Sequence, residues 1–204
     1  MVLNLRQAIR EASTEPELNR LDIHAVLLAN ESKQHCFFDI AREGMQISGV
    51  LDGRLPEPGE WFTIISGRFG FSSAALIDYI ARQEPIEVLH AATFRIGKKQ
   101  MAALDDLHAV GLLGDATFVT SQLNTQDDDK YNYYQLCAAT CQKNGWKLFA
   151  RANHAKIILA KTKNSRYVIE TSSNLNENPK IEQFSIENDA KLYQFYRDFF
   201  DEMR

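Results

Sequence analysis

The sequence predicts an α/β fold: a mixed, largely parallel sheet flanked by helices on both faces, with an N-terminal appendage. Three observations carry that expectation. From residue 61 onward, short runs rich in β-branched and aromatic residues alternate with amphipathic stretches at helical spacing. Gly, Asn and Ser punctuate the boundaries between them. No stretch repeats at a fixed period, which sets aside solenoids and propellers.

Taken in chain order, the N-terminal segment reads as a short helix over 4–12 and strands over 22–30, 36–40 and 46–51. Leu55-Pro56-Glu57-Pro58-Gly59 is a turn or linker. It divides the chain into an appendage, 1–55, and a main domain, 56–204. A strand over 61–65 leads through a turn with Gly67 and Gly70 to Ser72-Ser73, an N-cap pair that opens a helix over 74–82. A second strand, 86–96, precedes a helix over 98–110 with Met101, Leu104 and Leu107 on one face, stopped by Gly111 and Gly114. The third strand is 116–120. A polar loop, 121–130, separates it from a helix over 131–143 that ends at Asn144-Gly145, and a fourth strand covers 146–151. The rhythm then changes. Strands over 155–162 and 166–171 meet at the tight turn Lys163-Asn164-Ser165 and read as an antiparallel hairpin. One more strand, 181–185, precedes an amphipathic helix over 189–203 whose apolar side carries Leu192, Phe195, Tyr196, Phe199 and Phe200.

Composition narrows the classes. With 204 residues, 45% of them hydrophobic, the chain buries a core without needing disulfide or metal support. Its apolar runs are far shorter than the roughly 20 residues of a membrane helix, and Glu11, Thr14 and Glu15 interrupt the start before any signal-peptide core forms. The chain therefore reads as intracellular and cytoplasmic. Cys36, Cys137 and Cys141 read as packing residues, with no Cys/His grouping at zinc spacing, so no metal and no cofactor are expected. The net charge of −4 excludes a basic coat over the whole surface. Arg95, Lys98 and Lys99, and a second group running from Lys143 through Arg151 to Arg166, leave room for a local basic cleft.

The chemistry concentrates in Asn153-His154-Ala155-Lys156 and, one hairpin strand later, in Ser172-Ser173-Asn174. Residues two apart in a strand share a side, which would bring His154 and Lys156 together and set Ser172 and Asn174 beside them. Such a group fits a phosphate ester: an ammonium and a carboxamide hold the nonbridging oxygens while a neutral imidazole attacks phosphorus. Arg68, in the loop between the first strand and its helix, is a substrate-binding candidate for a phosphate, with Phe69 and Phe71 as stacking partners or core plugs. His90 and His108 sit on apolar elements and take no role.

This pattern resembles the phospholipase D superfamily, whose signature is H-x-K followed by G-S-x-N. The matching residues are His154, Lys156, Ser172 and Asn174, with Thr171 at the usual Gly and Glu182 where many members carry an acid that steadies a catalytic His. The resemblance runs over roughly 59–200. It departs at Lys161, where the full motif has Asp. What the resemblance implies is metal-independent phosphodiester hydrolysis through a phosphohistidine. The family reaction uses two histidines, and this chain holds one copy of the motif. A homodimer with a shared active site is therefore expected, as in the short bacterial endonucleases of the superfamily, acting on nucleic acid, with DNA favoured over lipid. The alternative is a catalytically silent relative of the fold that serves as a DNA-binding or assembly module.

Overall fold

The computed structural model describes residues 28–30, 35–40, 47, 51–66, 71–125, 133–176 and 181–202. Among them, nine strands form one sheet: β1 Leu28–Asn30, β2 His35–Ile40, β3 Trp61–Ser66, β4 Ile86–Ala92, β5 Leu113–Ser121, β6 Lys147–Arg151, β7 Ile157–Thr162, β8 Arg166–Thr171 and β9 Glu182–Asn188. Four α-helices accompany them: α1 Ser73–Gln83, α2 Lys98–Ala109, α3 Tyr134–Asn144 and α4 Ala190–Glu202. The helix expected over 4–12 and the loop residues 126–132 lie outside the described residues, as does Arg68.

The strand order is β1-β2-β3-β9-β8-β7-β4-β5-β6. The sheet is mixed, as expected, but its parallel share is smaller than the alternating pattern implied. Parallel pairing joins β2 to β3, β4 to β5 and β5 to β6. The remaining pairs, including β7 with β8 and both flanks of β9, are antiparallel. The cause is insertion: β3 and β4 follow one another through α1, yet the three C-terminal strands wedge between them, each antiparallel to both of its neighbours. N-terminal residues also enter this sheet, through β1 and β2. Within 46–51, Leu51 N–H donates to the Ile47 carbonyl at 2.9 Å, a helical rather than an extended contact.

Helices cover both faces, as the pattern predicted. On one side α1, α2 and α3 lay Leu76, Ile77, Ile80, Met101, Leu104 and Cys137 over Leu89, Phe118, Ile158, Ile169, Phe184 and Ile186 of the sheet. On the other, Tyr193 and Phe200 of α4 pack on Ala92, Val119, Leu159 and Val168. Successive residues of one strand serve opposite layers, as the period of 2 requires: Ile158 and Ala160 face the three helices and Leu159 faces α4. Asp189 caps α4, its Oδ1 accepting the Lys191 and Leu192 N–H groups at 2.7 and 3.0 Å. Burial pushes the Cys137 and Cys141 thiols up to about 12, which makes them inert packing groups.

The predicted stop at Asn144-Gly145 is a left-handed cap. Gly145 has φ 70°, and the Gly145 and Trp146 N–H groups close onto the Gln142 and Cys141 carbonyls. A methyl group there would meet nothing within 4 Å, so the penalty for Gly145→Ala is backbone strain alone. The expected cost is ~1 kcal/mol, read as a lower denaturant midpoint with an unchanged slope. An unshifted midpoint would rule this cap out as a left-handed one.

Candidate active site

Every strand end that bears the predicted residues lies on the same edge of the sheet. β4, β5 and β6 finish there, β7 and β9 begin there, and β3 and β8 finish there. This is the carboxyl edge of the parallel strands, the usual ligand side of an open α/β sheet.

His154 and Lys156 precede β7 rather than lying in it, a correction to the strand expected over 155–162. The reason is local. Asn153 Oδ1 accepts the Ala155 N–H at 3.0 Å, closing a turn around His154 that a strand could not accommodate. His154 and Lys156 still meet, because the lysine folds back: its Nζ lies 2.8 Å from the His154 carbonyl and 3.3 Å from His154 Nδ1. The exposed imidazole rests against the Phe94 ring, centroids 5.2 Å apart and planes tilted by 50°. Arg95 sits over the same ring at 5.6 Å.

Ser172 and Asn174 follow the end of β8. Thr171, at the position of the family glycine, closes the turn, accepting the Ser173 N–H at 2.9 Å and donating to the Gln183 carbonyl at 2.7 Å. Asn174 Oδ1 accepts the Phe94 N–H at 3.1 Å and faces Thr93 Oγ1 at 3.4 Å, so its carboxamide is oriented by the segment after β4. Ser172 Oγ donates to the Glu182 carboxylate and accepts the Gln183 N–H at 3.0 Å. Glu182 is buried at the start of β9, and Ser66 of β3 brackets it, its Oγ accepting the Glu182 N–H at 3.2 Å and lying 3.3 Å from the Glu182 carbonyl.

The structure therefore brings His154, Lys156, Ser172, Asn174 and Glu182 into one cluster. His154 and Asn174 flank Phe94, while Lys156 feels the charge of Glu182, which Ser172 holds. Burial pulls the Lys156 ammonium below its ordinary pKa, and the Glu182 carboxylate partly restores it. Among the described residues, no group of three or more His, Cys, Asp or Glu is arranged to hold a metal.

Lys161, at the position of the family's Asp, lies toward the far end of β7 and pairs with Glu87 at 2.8 Å. Lys143 pairs with Asp105 at 2.8 Å. The basic run from Lys143 to Arg166 thus splits, and only its middle part, Arg151 to Lys156, reaches the site edge. A polar cleft lined by Pro58, Asn164, Arg166, Asn188 and Lys191 lies at the hairpin-turn end of the sheet, away from the cluster.

Sequence reasoning missed several contributors. Ser73, expected to cap α1 with Ser72, instead donates to the Ser173 carbonyl at 3.1 Å and ties α1 to the Ser172–Asn174 loop; the Ser72 hydroxyl makes no cap bond. Thr93 and Phe94 carry no local signal at all, because the strand expected over 86–96 ends at Ala92. Asn153 had one: an Asn directly before a functional residue marks a turn.

No family sequence model matches this chain, and no curated protein sequence does. Solved structures do. Nuc from Salmonella typhimurium, a phospholipase D family member, superposes with a TM-score of 0.51 at 17% identity, covering 71% of this chain and 93% of Nuc. A polyphosphate kinase from Porphyromonas gingivalis gives 0.53 at 13% identity, over 69% of this chain and 25% of the kinase. The phosphatidylserine synthase of Haemophilus influenzae Rd KW20 gives 0.50 at 15% identity, over 71% of this chain and 38% of the synthase. The chain spans well under half of the last two. Its α/β sheet and helices define a phospholipase D-like fold.

Proposed function

We propose that this chain is a phosphodiesterase that cleaves DNA without a metal, through a phosphohistidine on His154, and that it works as a homodimer. One observation supports it above the others: the five candidate residues, drawn from three separate segments, meet at one strand edge, His154 bonded to Lys156, Ser172 to Glu182 and Asn174 to the Phe94 backbone, with the Glu182 charge acting on Lys156. A fold alone hosts many chemistries, so the reading rests on this cluster. The names of the structural neighbours, a phospholipase D family member, a polyphosphate kinase and a phosphatidylserine synthase, agree with phosphoryl chemistry at a general level.

In this reading, nonbridging phosphate oxygens draw the Lys156 ammonium off the imidazole. Nδ1 then takes the ring proton and Nε2 presents its lone pair. The Nε2–P bond forms as the bond from phosphorus to the leaving oxygen breaks, and that oxygen takes a proton from His154 of the second copy. Water next attacks phosphorus and gives its proton back to that second ring, and the P–N bond breaks. Lys156 and the Asn174 amide hold the charge that develops on the nonbridging oxygens. Exposure of His154 suits a ring that meets its twin across a two-fold axis. Glu182, through Ser172, keeps a carboxylate near Lys156 without pairing it directly.

The test is incubation with plasmid, single-stranded DNA and a chromogenic phosphodiester in EDTA, with sedimentation to give the oligomeric state. Cleavage that persists in chelator and a dimer in solution support the proposal. Binding of DNA with no turnover favours the silent-module alternative, and a strict monomer overturns the shared site. The pH profile supplies a finer check. Because the Glu182 charge raises the Lys156 pKa, Glu182→Gln lets it fall further, so the ammonium is lost sooner as pH rises. The alkaline limb of kcat/KM is expected to move to lower pH; a limb that stays put or moves higher contradicts the role given to this pair.

A further inference from the structure

Between the end of β6 and the start of β7 the chain leaves the sheet ladder, and in that interval stands the residue proposed as nucleophile. A nucleophile on an exposed loop needs something to hold it. The structure supplies a buried carboxamide immediately before it. Asn153 Nδ2 donates to the Thr93 carbonyl and to the Val119 carbonyl, each at 3.1 Å, so both of its protons are spent on the ends of β4 and β5. Its Oδ1 accepts the Ala155 N–H, the bond that closes the turn around His154. One side chain thus shapes the loop and fastens it to two strands. Thr93 extends the link. Its Oγ1 accepts the Leu175 N–H at 3.1 Å and lies 3.4 Å from Asn174 Oδ1.

We infer that Asn153 is the positioning residue that fixes the His154 imidazole against Phe94, and that Thr93 joins this clamp to the Asn174 loop so that both halves of the phosphate site keep one geometry. The inference takes the catalytic role of His154 from the proposed function. Asn is suited to the place as few residues are. Aspartate keeps the acceptor that makes the turn, but it loses both donors and sets a buried charge against two carbonyl oxygens. Alanine loses all three bonds. Neither change removes a hydrogen bond made by Lys156, Ser172 or Asn174, so the groups that hold a phosphodiester stay in place while the attacking atom wanders.

The experiment uses the full chain with Asn153→Ala, Asn153→Asp, Thr93→Val and Thr93→Ser. Two readouts are taken: kcat and KM for chelator-resistant cleavage of a chromogenic diester, and the nuclear Overhauser contact between the His154 and Phe94 rings. Asn153→Ala and Asn153→Asp are expected to lose kcat by ~100-fold, with KM within about threefold of the parent. Thr93→Val falls by roughly tenfold and Thr93→Ser, which keeps the hydroxyl, returns close to the parent. The ring contact disappears in both Asn153 variants. Retention of that contact, or a kcat within about threefold of the parent in Asn153→Asp, overturns the inference. Should the parent show no His154-dependent turnover, the proposed function fails, and the ring contact still decides the positioning role. If Asn153→Ala does not fold, Asn153→Asp and the Thr93 pair decide it.

Discussion

Replacing His154 by alanine is expected to lower chelator-resistant phosphodiester cleavage by about 10⁴-fold while leaving the protein folded. Both halves of that expectation come from position. The ring is exposed and makes one aromatic contact, so its removal strips little from the core and should stay within about 0.5 kcal/mol of parental stability. In the proposed mechanism it is also the attacking group, while the Ser172 hydroxyl is held by Glu182. Lys156 and Asn174 remain to bind the diester, so the loss should fall on kcat rather than KM. The same variant examines the twin-ring arrangement. When parental and His154→Ala chains are mixed in equal amounts and allowed to exchange, a shared site that needs both rings leaves activity per parental chain at about half. Activity per parental chain that does not change on mixing would mean that each subunit works alone.

Phe184→Ala should produce the largest loss of stability. Phe184 is fully buried on β9, stacked on Phe71 at 4.8 Å and paired through the backbone with Ile64 on one side and Thr171 on the other. Alanine there leaves a cavity in the layer under α1, with an expected cost of about 3–5 kcal/mol. That is a large fraction of the ~5–15 kcal/mol that holds a domain together, and it should lower Tm by roughly 10 °C. A change under about 2 °C, measured by calorimetry, would mean that β9 does not sit in the middle of the sheet. The site should suffer as well, because Glu182 lies two residues before Phe184 on the same side of β9 and Thr171 begins the turn to Ser172.

Much of this fold can be read in the sequence because its signals are local. Strand and helix alternation from Trp61, the Asn144-Gly145 stop, the Lys163-Asn164-Ser165 turn and the apolar stripe of α4 each depend on neighbours a few positions away, and each reappears in the structure. Strand order does not work that way. Nothing near Glu182–Asn188 announces that this strand pairs with Trp61–Ser66 more than a hundred residues earlier, so the parallel share was overestimated. The site divides along the same line. His154, Lys156, Ser172, Asn174 and Glu182 are legible as residue types at a spacing, whereas Thr93, Phe94, Ser66 and Ser73 act through partners distant in the chain. Even the H-x-K pair met for a reason other than the one spacing gave: a flexible lysine folding back, not two side chains on one pleat.

The insertion of the last three strands between β3 and β4 also bears on how the molecule is made. A nascent chain emerging from the ribosome can assemble the β4-β5-β6 unit as soon as its helices follow, but the β3 edge toward the centre must wait until β9 is synthesised. During that delay Trp61–Ser66 presents an open strand edge of apolar character, a template for mispairing between polysomal neighbours. Because the Ser172–Asn174 turn and Glu182 follow β7 in the chain, the proposed phosphate pocket cannot assemble before β9 is made.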